Sequence, residues 1–226
     1  MRREARRCRA SSRPRSEKGG PQRIAQAYHR GLKFCPRCGT PLVPRLDGGR
    51  DRPTCPAEGC GYTHYGDASI GAGAVVLRNN RALIIQRKTP DRVWWQIPGG
   101  FVEIDESIAQ AVEREVLEET GVLARVRDVV AVRHAAGVQP AWPMANLYTV
   151  FRLDAVDGEP RPDFEESFDA GFFSVEEARE LQGLSGISLW AIERAVRLGP
   201  APGLRLEAER EGLQRAGHTL FGVAIE

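Results

Sequence analysis

Three glutamates, Glu115, Glu118 and Glu119, sit in a stretch built to be helical. From about Asp105 to Thr120 there is no Pro or Gly, and Glu, Ala, Arg, Gln and Leu dominate. Spacings of i,i+3 and i,i+4 draw the three carboxylates to one side of that helix, where like charges repel. A purely structural helix gains nothing from this, whereas a hard divalent cation reverses its sign. Mg²⁺ or Mn²⁺ takes oxygen ligands and is commonly held by a few carboxylates together with substrate phosphates. Directly upstream, Pro98-Gly99-Gly100 is a turn signal that lets backbone approach a metal or a phosphate. The chemistry this suits is cleavage of a pyrophosphate, in which the metal neutralises phosphate charge, orients a water and lowers its pKa. The competing reading is a solvated acidic face, the usual fate of a charge run.

The elements that hold these groups are legible nearby. Ile108, Ala111, Val112, Val116 and Leu117 recur near helical spacing and predict one inward stripe. Asp105 or Ser107 can cap the start, and Gly121 stands where a C′ glycine follows the last turn. Gly100 to Val122 reads GFVEIDESIAQAVEREVLEETGV, which fits G-x5-E-x7-R-E-U-x-E-E-x-G-U with U a bulky aliphatic. The fixed positions are Gly100, Glu106, Arg114, Glu115, Val116, Glu118, Glu119, Gly121 and Val122. This pattern resembles the signature of the Nudix hydrolases, which hydrolyse nucleoside diphosphates linked to another moiety X. The resemblance implies that Glu115, Glu118 and Glu119 hold one to several Mg²⁺ or Mn²⁺ ions, with the Gly100 carbonyl as a further ligand. Glu106 and Arg114 are then a structural ion pair orienting the loop and Glu115. Some members use an extra glutamate as base or ligand; Glu165 and Glu166 precede Phe172-Phe173 at such a distance, and Glu166 is the choice. His134 could act as base by its pKa alone.

Four of the five cysteines form a second constellation, Cys35, Cys38, Cys55 and Cys60, spaced C-x2-C-x16-C-x4-C. Such short knuckles suit a structural Zn²⁺, and Gly39 and Gly61 suit the tight turns around thiolate sulfur. A disulfide pair is the alternative; without a secretory signal a reducing cytoplasm is expected, which favours the metal. Cys8 has no part in it, and His64 is read as a surface or packing residue.

At 226 residues with 42% hydrophobic content, the chain can hold one medium domain plus something small, and no stretch approaches a membrane span. Residues 1–33 carry eleven Lys/Arg against Glu4 and Glu17, a net +9, which leaves −7 for the remainder. Met1 to about Gly20 is Arg-, Ser-, Gly- and Pro-rich and expected to be disordered; of a nucleic-acid- or phosphate-attracting tail, an organelle transit sequence and an over-extended start, a tail of minor function is the favoured reading and a transit sequence the less favoured. The expected organisation is a basic tail over 1–32, a zinc ribbon over 33–66, a Nudix domain over 67–200 and a C-terminal extension over 201–226. Strands are predicted at Ser69–Leu77, Arg81–Arg87, Leu123–His134 and Leu147–Leu153, with Asn79-Asn80 as a turn and Lys88–Val93 as a polar loop. Helices are predicted at Glu176–Leu181, Leu184–Leu198 and Leu204–Arg215. Strands alternating with few helices give an α/β (α+β) class, in accord with the Nudix α/β/α sandwich and mixed sheet that the resemblance implies.

A zinc ribbon ahead of the domain is similar to two Nudix groups. NADH pyrophosphatases carry a motif after the box that Val138–Asn146 matches only in its Gln139-Pro140 and Trp142-Pro143 pairs. The smaller ADP-ribose or FAD pyrophosphatases are more similar before the box, at Gln96–Glu103, and share a later Pro, here Pro140. ADP-ribose or FAD is therefore the expected substrate, with NADH and capped RNA as alternatives. Arg87, Trp95, Gly99 and Gly100 are the expected substrate contacts: Arg87 for phosphate or to cover the sheet edge, Trp95 (or Trp94 or Trp142) to stack on a base or to fill the core. The expected partner is a small nucleotide, with homodimerisation open and nucleic acid less favoured. A reading of another class is a nucleotide-sensing zinc-ribbon regulator.

Overall fold

The computed structural model describes residues 32–136, 144–206 and 221–223. All but the last residue of the basic tail, the Gln139-Pro140 pair and Trp142 lie outside these residues. The chain divides into two compact units, Met1–Gly66 and Asp67–Glu226. Among the described residues no helix is long and apolar enough to cross a membrane.

The first unit is a β-hairpin and two cysteine knuckles. Strands β1 (Val43–Asp47) and β2 (Arg50–Thr54) pair antiparallel from Val43 opposite Thr54 to Asp47 opposite Arg50. In the first knuckle the Gly39 N–H donates to the Cys35 carbonyl at 2.8 Å; in the second, the Cys55 N–H donates to the Tyr62 carbonyl at 2.9 Å. His64 is buried, its Nδ1 3.4 Å from the Tyr62 hydroxyl, so it is a packing residue.

The second unit is a nine-stranded mixed sheet between two helical layers. Strands β3 (Ala68–Arg78) and β4 (Arg81–Thr89) are joined by Asn79 and Asn80, both left-handed at φ 50° and 61°, as a two-residue hairpin turn requires. Then come β5 (Arg92–Gln96), β6 (Gly99–Phe101), helix α1 (Ile108–Thr120), β7 (Leu123–Ala135), β8 (Ala145–Asp157), β9 (Asp169–Phe173), α2 (Val175–Glu180), α3 (Gly186–Leu198), β10 (Leu204–Leu206) and β11 (Phe221–Val223). The sheet runs β11-β10-β7-β8-β3-β4-β5, with β6 also on β3 and β9 also on β4. β3 and β8 are parallel; their neighbours are antiparallel.

Strand alternation sorts the core into two layers. Ala72, Ala74 and Val76 of β3, Leu83 of β4, and Phe151 and Leu153 of β8 meet Val112 and Val116 of α1. Val75, Ala82, Ile84 and Val150 face the other way, onto Ala178 of α2 and Ala191, Ile192 and Ala195 of α3. Each fully buried Val, Leu, Ile or Phe side chain contributes about 1.5–3 kcal/mol. On the α3 side, Arg152 and Asp128 form a fully buried ion pair, and Arg152 also donates to the carbonyls of Gly199 and Ala201, both at 2.8 Å.

The structure differs from the sequence expectations at several elements. Lys88–Val93 is no loop: β4 and β5 continue to Thr89 and Arg92, leaving only Pro90-Asp91 to turn. Gly99-Gly100 is a strand, β6, rather than a turn, because without side chains it can lie against β3. Leu117 is about half exposed, since it sits one residue off the Val112–Val116 stripe. In place of a helix beginning at Leu204, residues Leu204–Leu206 pair with β11 and, at Leu204, with Val129 of β7; residues 207–215 lie outside those described.

Candidate active site

Helix α1 is set by its two ends. Ser107 is the N-cap, its hydroxyl accepting from the Gln110 N–H while the Gln110 side chain accepts from the Ser107 N–H, and Gly121 closes the helix at φ 68°. With Val112 and Val116 buried against the sheet, Glu115 and Glu119 are carried to the margin of the core, and Glu118 faces outward.

Glu119 is the deepest carboxylate of the cluster, 2% exposed. Its Oε2 accepts the Gly99 N–H at 2.8 Å, and its other oxygen meets the Arg87 guanidinium. Burial pushes its carboxyl up to about 7, against the pull of Arg87 and the Gly99 amide. Burial likewise raises Glu115, against Arg114. Gly100 is glycine for a steric reason: a Cβ there would fall 2.5 Å from Glu115 Oε1. At Gly99, φ is 144°, and a Cβ would meet the Ala72 carbonyl oxygen at 2.2 Å.

Two arginines organise the cluster. Arg114 donates to Glu106 at 2.7 and 3.1 Å, to Glu115 at 3.0 Å, to Glu118 at 2.9 Å and to the Phe101 carbonyl at 3.3 Å. The Arg114 hydrogen bond holds the Glu106 carboxyl below its usual range. Arg87 bridges Glu119 and Glu166. The three box glutamates therefore do not converge on one point: Arg114 stands between Glu115 and Glu118, and Arg87 draws Glu119 toward Glu166. Five carboxylates (Glu106, Glu115, Glu118, Glu119, Glu166) face two guanidiniums. This excess of negative, hard oxygen donors fits a divalent cation.

Glu166, rather than Glu165, is brought to the cluster by a loop whose other residues the sequence reading missed. Asp163 Oδ1 accepts the N–H groups of Glu165, Glu166 and Ser167 at 3.0, 3.0 and 2.8 Å. The Ser167 hydroxyl donates to the Glu119 carbonyl at 2.6 Å, tying the loop to the last turn of α1. The Asp-to-Ser spacing of four residues is the signal that could have pointed to this.

Trp95 lies elsewhere. It stands opposite Gln86 and packs edge-on to Phe173, ring centroids 5.6 Å apart, in the layer of α2 and α3. Trp94 is the residue paired with Arg87 and shares its face. His134 is exposed on β7, opposite Leu147.

In the first unit, the sulfurs of Cys35, Cys38, Cys55 and Cys60 lie within 4.8 Å of one another. All four are free thiols, with Cys38 to Cys55 at 3.5 Å and Cys35 to Cys60 at 3.6 Å, an arrangement that could hold a metal ion. The Thr40 hydroxyl, 3.3 Å away, and its backbone bring the Cys38 thiol down to about 6, toward the thiolate a metal binds.

A layered mixed sheet with an arginine-bridged acidic helix beside a glycine strand places this chain among α/β proteins with a built anionic site. More particularly, residues 68–189 match the NUDIX domain, and the chain belongs to that family. It is 30% identical over 115 residues to an ADP-ribose pyrophosphatase of Methanocaldococcus jannaschii, covering 50% of this chain and 66% of that protein. It is 32% identical over 174 residues to an NAD-capped RNA hydrolase NudC of Stutzerimonas stutzeri, covering 75% of this chain and 59% of that protein. The chain thus spans between half and two thirds of the length of such relatives. Among solved structures, a NUDIX hydrolase from Nitrosomonas europaea is similar with a TM-score of 0.60 at 26% identity, covering 74% of this chain and 92% of that one.

Proposed function

We propose that this chain hydrolyses the diphosphate of a nucleoside diphosphate linked to a second moiety, with ADP-ribose or FAD as substrate and two phosphomonoesters as products. The observation that carries the reading is the full set of box carboxylates on α1, packed against a glycine strand within a NUDIX domain. Glu115, Glu118 and Glu119, with the Gly100 carbonyl beside them, would hold Mg²⁺ or Mn²⁺. The ion would supply charge neutralisation at the diphosphate and a lower pKa for water. The residues of the chain do the rest. Gly100 lets the Glu115 carboxylate lie against the backbone, Gly99 lets β6 lie against β3, and Glu119 is oriented by the Gly99 amide. Arg114, locked by Glu106, positions Glu115. Glu166, presented by Asp163 and Ser167, is the candidate base, and Arg87 beside it can turn to a phosphate oxygen.

A second reading, hydrolysis of NAD-capped RNA or NADH, is favoured by one observation: the similarity to NudC proteins extends over 174 residues, more than the NUDIX match itself. Phosphomonoester release from ADP-ribose, FAD, NADH and NAD-capped RNA, each with Mg²⁺ and with Mn²⁺, separates the readings. The expected preference is for ADP-ribose or FAD. Preference for NADH or capped RNA selects the second reading, and no release from any substrate turns the assignment to a nucleotide-sensing regulator.

The tetrathiol cluster is proposed to hold a structural Zn²⁺, a closed site with no open position for chemistry. Purified protein should contain one equivalent of zinc by elemental analysis, and Cys38→Ser should lower that content while the α1 carboxylates stay intact. Zinc content equal in both proteins would refute the assignment.

A further inference from the structure

Across β3 from the acidic helix, on the face that packs against the α2 and α3 layer, lies a phenol with no task in the proposed hydrolysis. Tyr148 on β8 stands opposite Gly71 across the parallel β3–β8 ladder. Its ring fills the space that side chains on β3 would occupy. A Cβ on Gly71 would fall 2.8 Å from its Cδ2, and one on Gly73 would fall 2.2 Å from its hydroxyl oxygen. The hydroxyl therefore rests over Gly73.

Gly73 is in turn the register partner of Gly99, whose amide binds Glu119. One strand spacing of about 5 Å plus that hydrogen bond places the hydroxyl within roughly 10 Å of the Glu119 carboxylate. The electrostatics agree. Burial first pushes the phenol up to about 12, with Arg133 lowering it, and the charges of Glu119, Arg87 and Glu115 are all felt there. At neutral pH the group is an uncharged O–H donor.

Among the described residues the hydroxyl has no hydrogen-bond partner, and the residue keeps partial exposure. A largely buried tyrosine usually finds one. Over the same ring, at 4.9 Å from its centroid, lies the guanidinium of Arg133. Arg133 donates to Asn146 Oδ1 at 3.0 Å, and Asn146 Nδ2 donates to the Ser69 hydroxyl at 3.0 Å. A hydroxyl donor and a cation thus lie side by side, over glycines whose missing side chains make room for the ring. Both suit an oxygen acceptor carrying negative charge.

We propose that the Tyr148 hydroxyl, with Arg133 beside it, binds a phosphate or ribose oxygen of the nucleotide substrate and so sets its affinity and specificity. The proposal rests on the hydrolase reading and adds to it the part of the site that receives the substrate beyond the carboxylates. Neither residue takes part in the bond-breaking step.

Tyr148→Phe keeps the ring and the stacked Arg133 and removes only the donor. For ADP-ribose with Mg²⁺, KM should rise about tenfold, the worth of one hydrogen bond to a charged acceptor, while kcat stays within about twofold. Tm should not move, because the hydroxyl supports no neighbour. Inhibition by the two products should tell the acceptors apart: weakening toward AMP alone assigns the nucleotide half, and toward ribose 5-phosphate alone the other half. Arg133→Gln, at an exposed residue, should raise KM in the same direction. If the wild type turns over ADP-ribose and KM is unchanged in both variants, the proposal is overturned while the hydrolase reading survives. A fall in Tm with kcat and without a KM change would make Tyr148 a structural residue and overturn it too. A wild type inert toward both ADP-ribose and FAD would overturn the hydrolase reading, and this proposal with it.

Discussion

Replacing Glu119 by Gln is expected to lower kcat by about three orders of magnitude while the protein stays folded, a loss of the size that accompanies removal of a group acting directly on the reacting centre. Glu119 is the most buried carboxylate of the cluster and the one in contact with both the glycine strand and Arg87. Glutamine keeps an oxygen for the Gly99 amide and relieves the cost of burying a charge, so the apparatus around it should persist. What it removes is negative charge at the point where a divalent cation would be held. Steady-state rates with saturating Mg²⁺, alongside thermal melts, check this. Glu118→Gln should behave similarly, although Glu118 is exposed and held only by Arg114. Near-normal turnover in both variants would rule out the metal-assisted mechanism on α1.

Breaking the buried ion pair should have the largest effect on stability. Arg152→Met is expected to destabilise the second unit by about 3–5 kcal/mol, because it strands the Asp128 charge in the core. The side chains of Arg152 and Asp128 are 0% and 1% exposed. Loss of the guanidinium also frees the Ala195, Gly199 and Ala201 carbonyls, so the exit from α3 loses its anchor. The Gly203 amide, 3.0 Å from Asp128 Oδ2, would stay paired. Urea unfolding followed by far-UV circular dichroism measures the loss. An apolar replacement of both partners, Asp128→Leu with Arg152→Met, should recover much of it. A single-variant loss below about 1 kcal/mol would show that the pair is not sealed from water.

The helix and its acidic set were legible because periodicity, capping and spacing act within a few residues of each other. Ser107, Val112, Val116 and Gly121 could be placed from local pattern alone. The glycine strand could not, because two of its three residues are glycines, which are depleted in strands. β6 exists because Gly99, lacking a side chain, can lie against Ala72 and Gly73 of β3. Trp94 and Trp95 could not be told apart for a related reason. Which of the two shares a face with Arg87 depends on the β4–β5 register, which the presumed polar loop hid. Arg87 between Glu119 and Glu166, and Tyr148 over Gly71, join residues 32 to 79 positions apart, a distance at which sequence pattern is silent. The alternating small residues of Ser69–Leu77 were the one visible hint that something large would lie across that strand.

The parallel pairing of β3 with β8 also has a consequence for how the domain is made. Ala68 meets Ala145, so the central ladder closes a loop of 77 residues before its first rung can form. The β3–β4 hairpin needs only the two asparagines and can assemble at once. A chain emerging from the ribosome therefore holds its glycine strand and acidic helix well before it holds the wall behind them. Tyr148, the buried Arg152 and the loop bearing Glu166 all arrive on or after β8. Non-local closure of this kind slows folding, and here it makes the completed pocket a product of the last third of the chain. A nascent domain lacking β8 would carry the acidic box and be unable to use it.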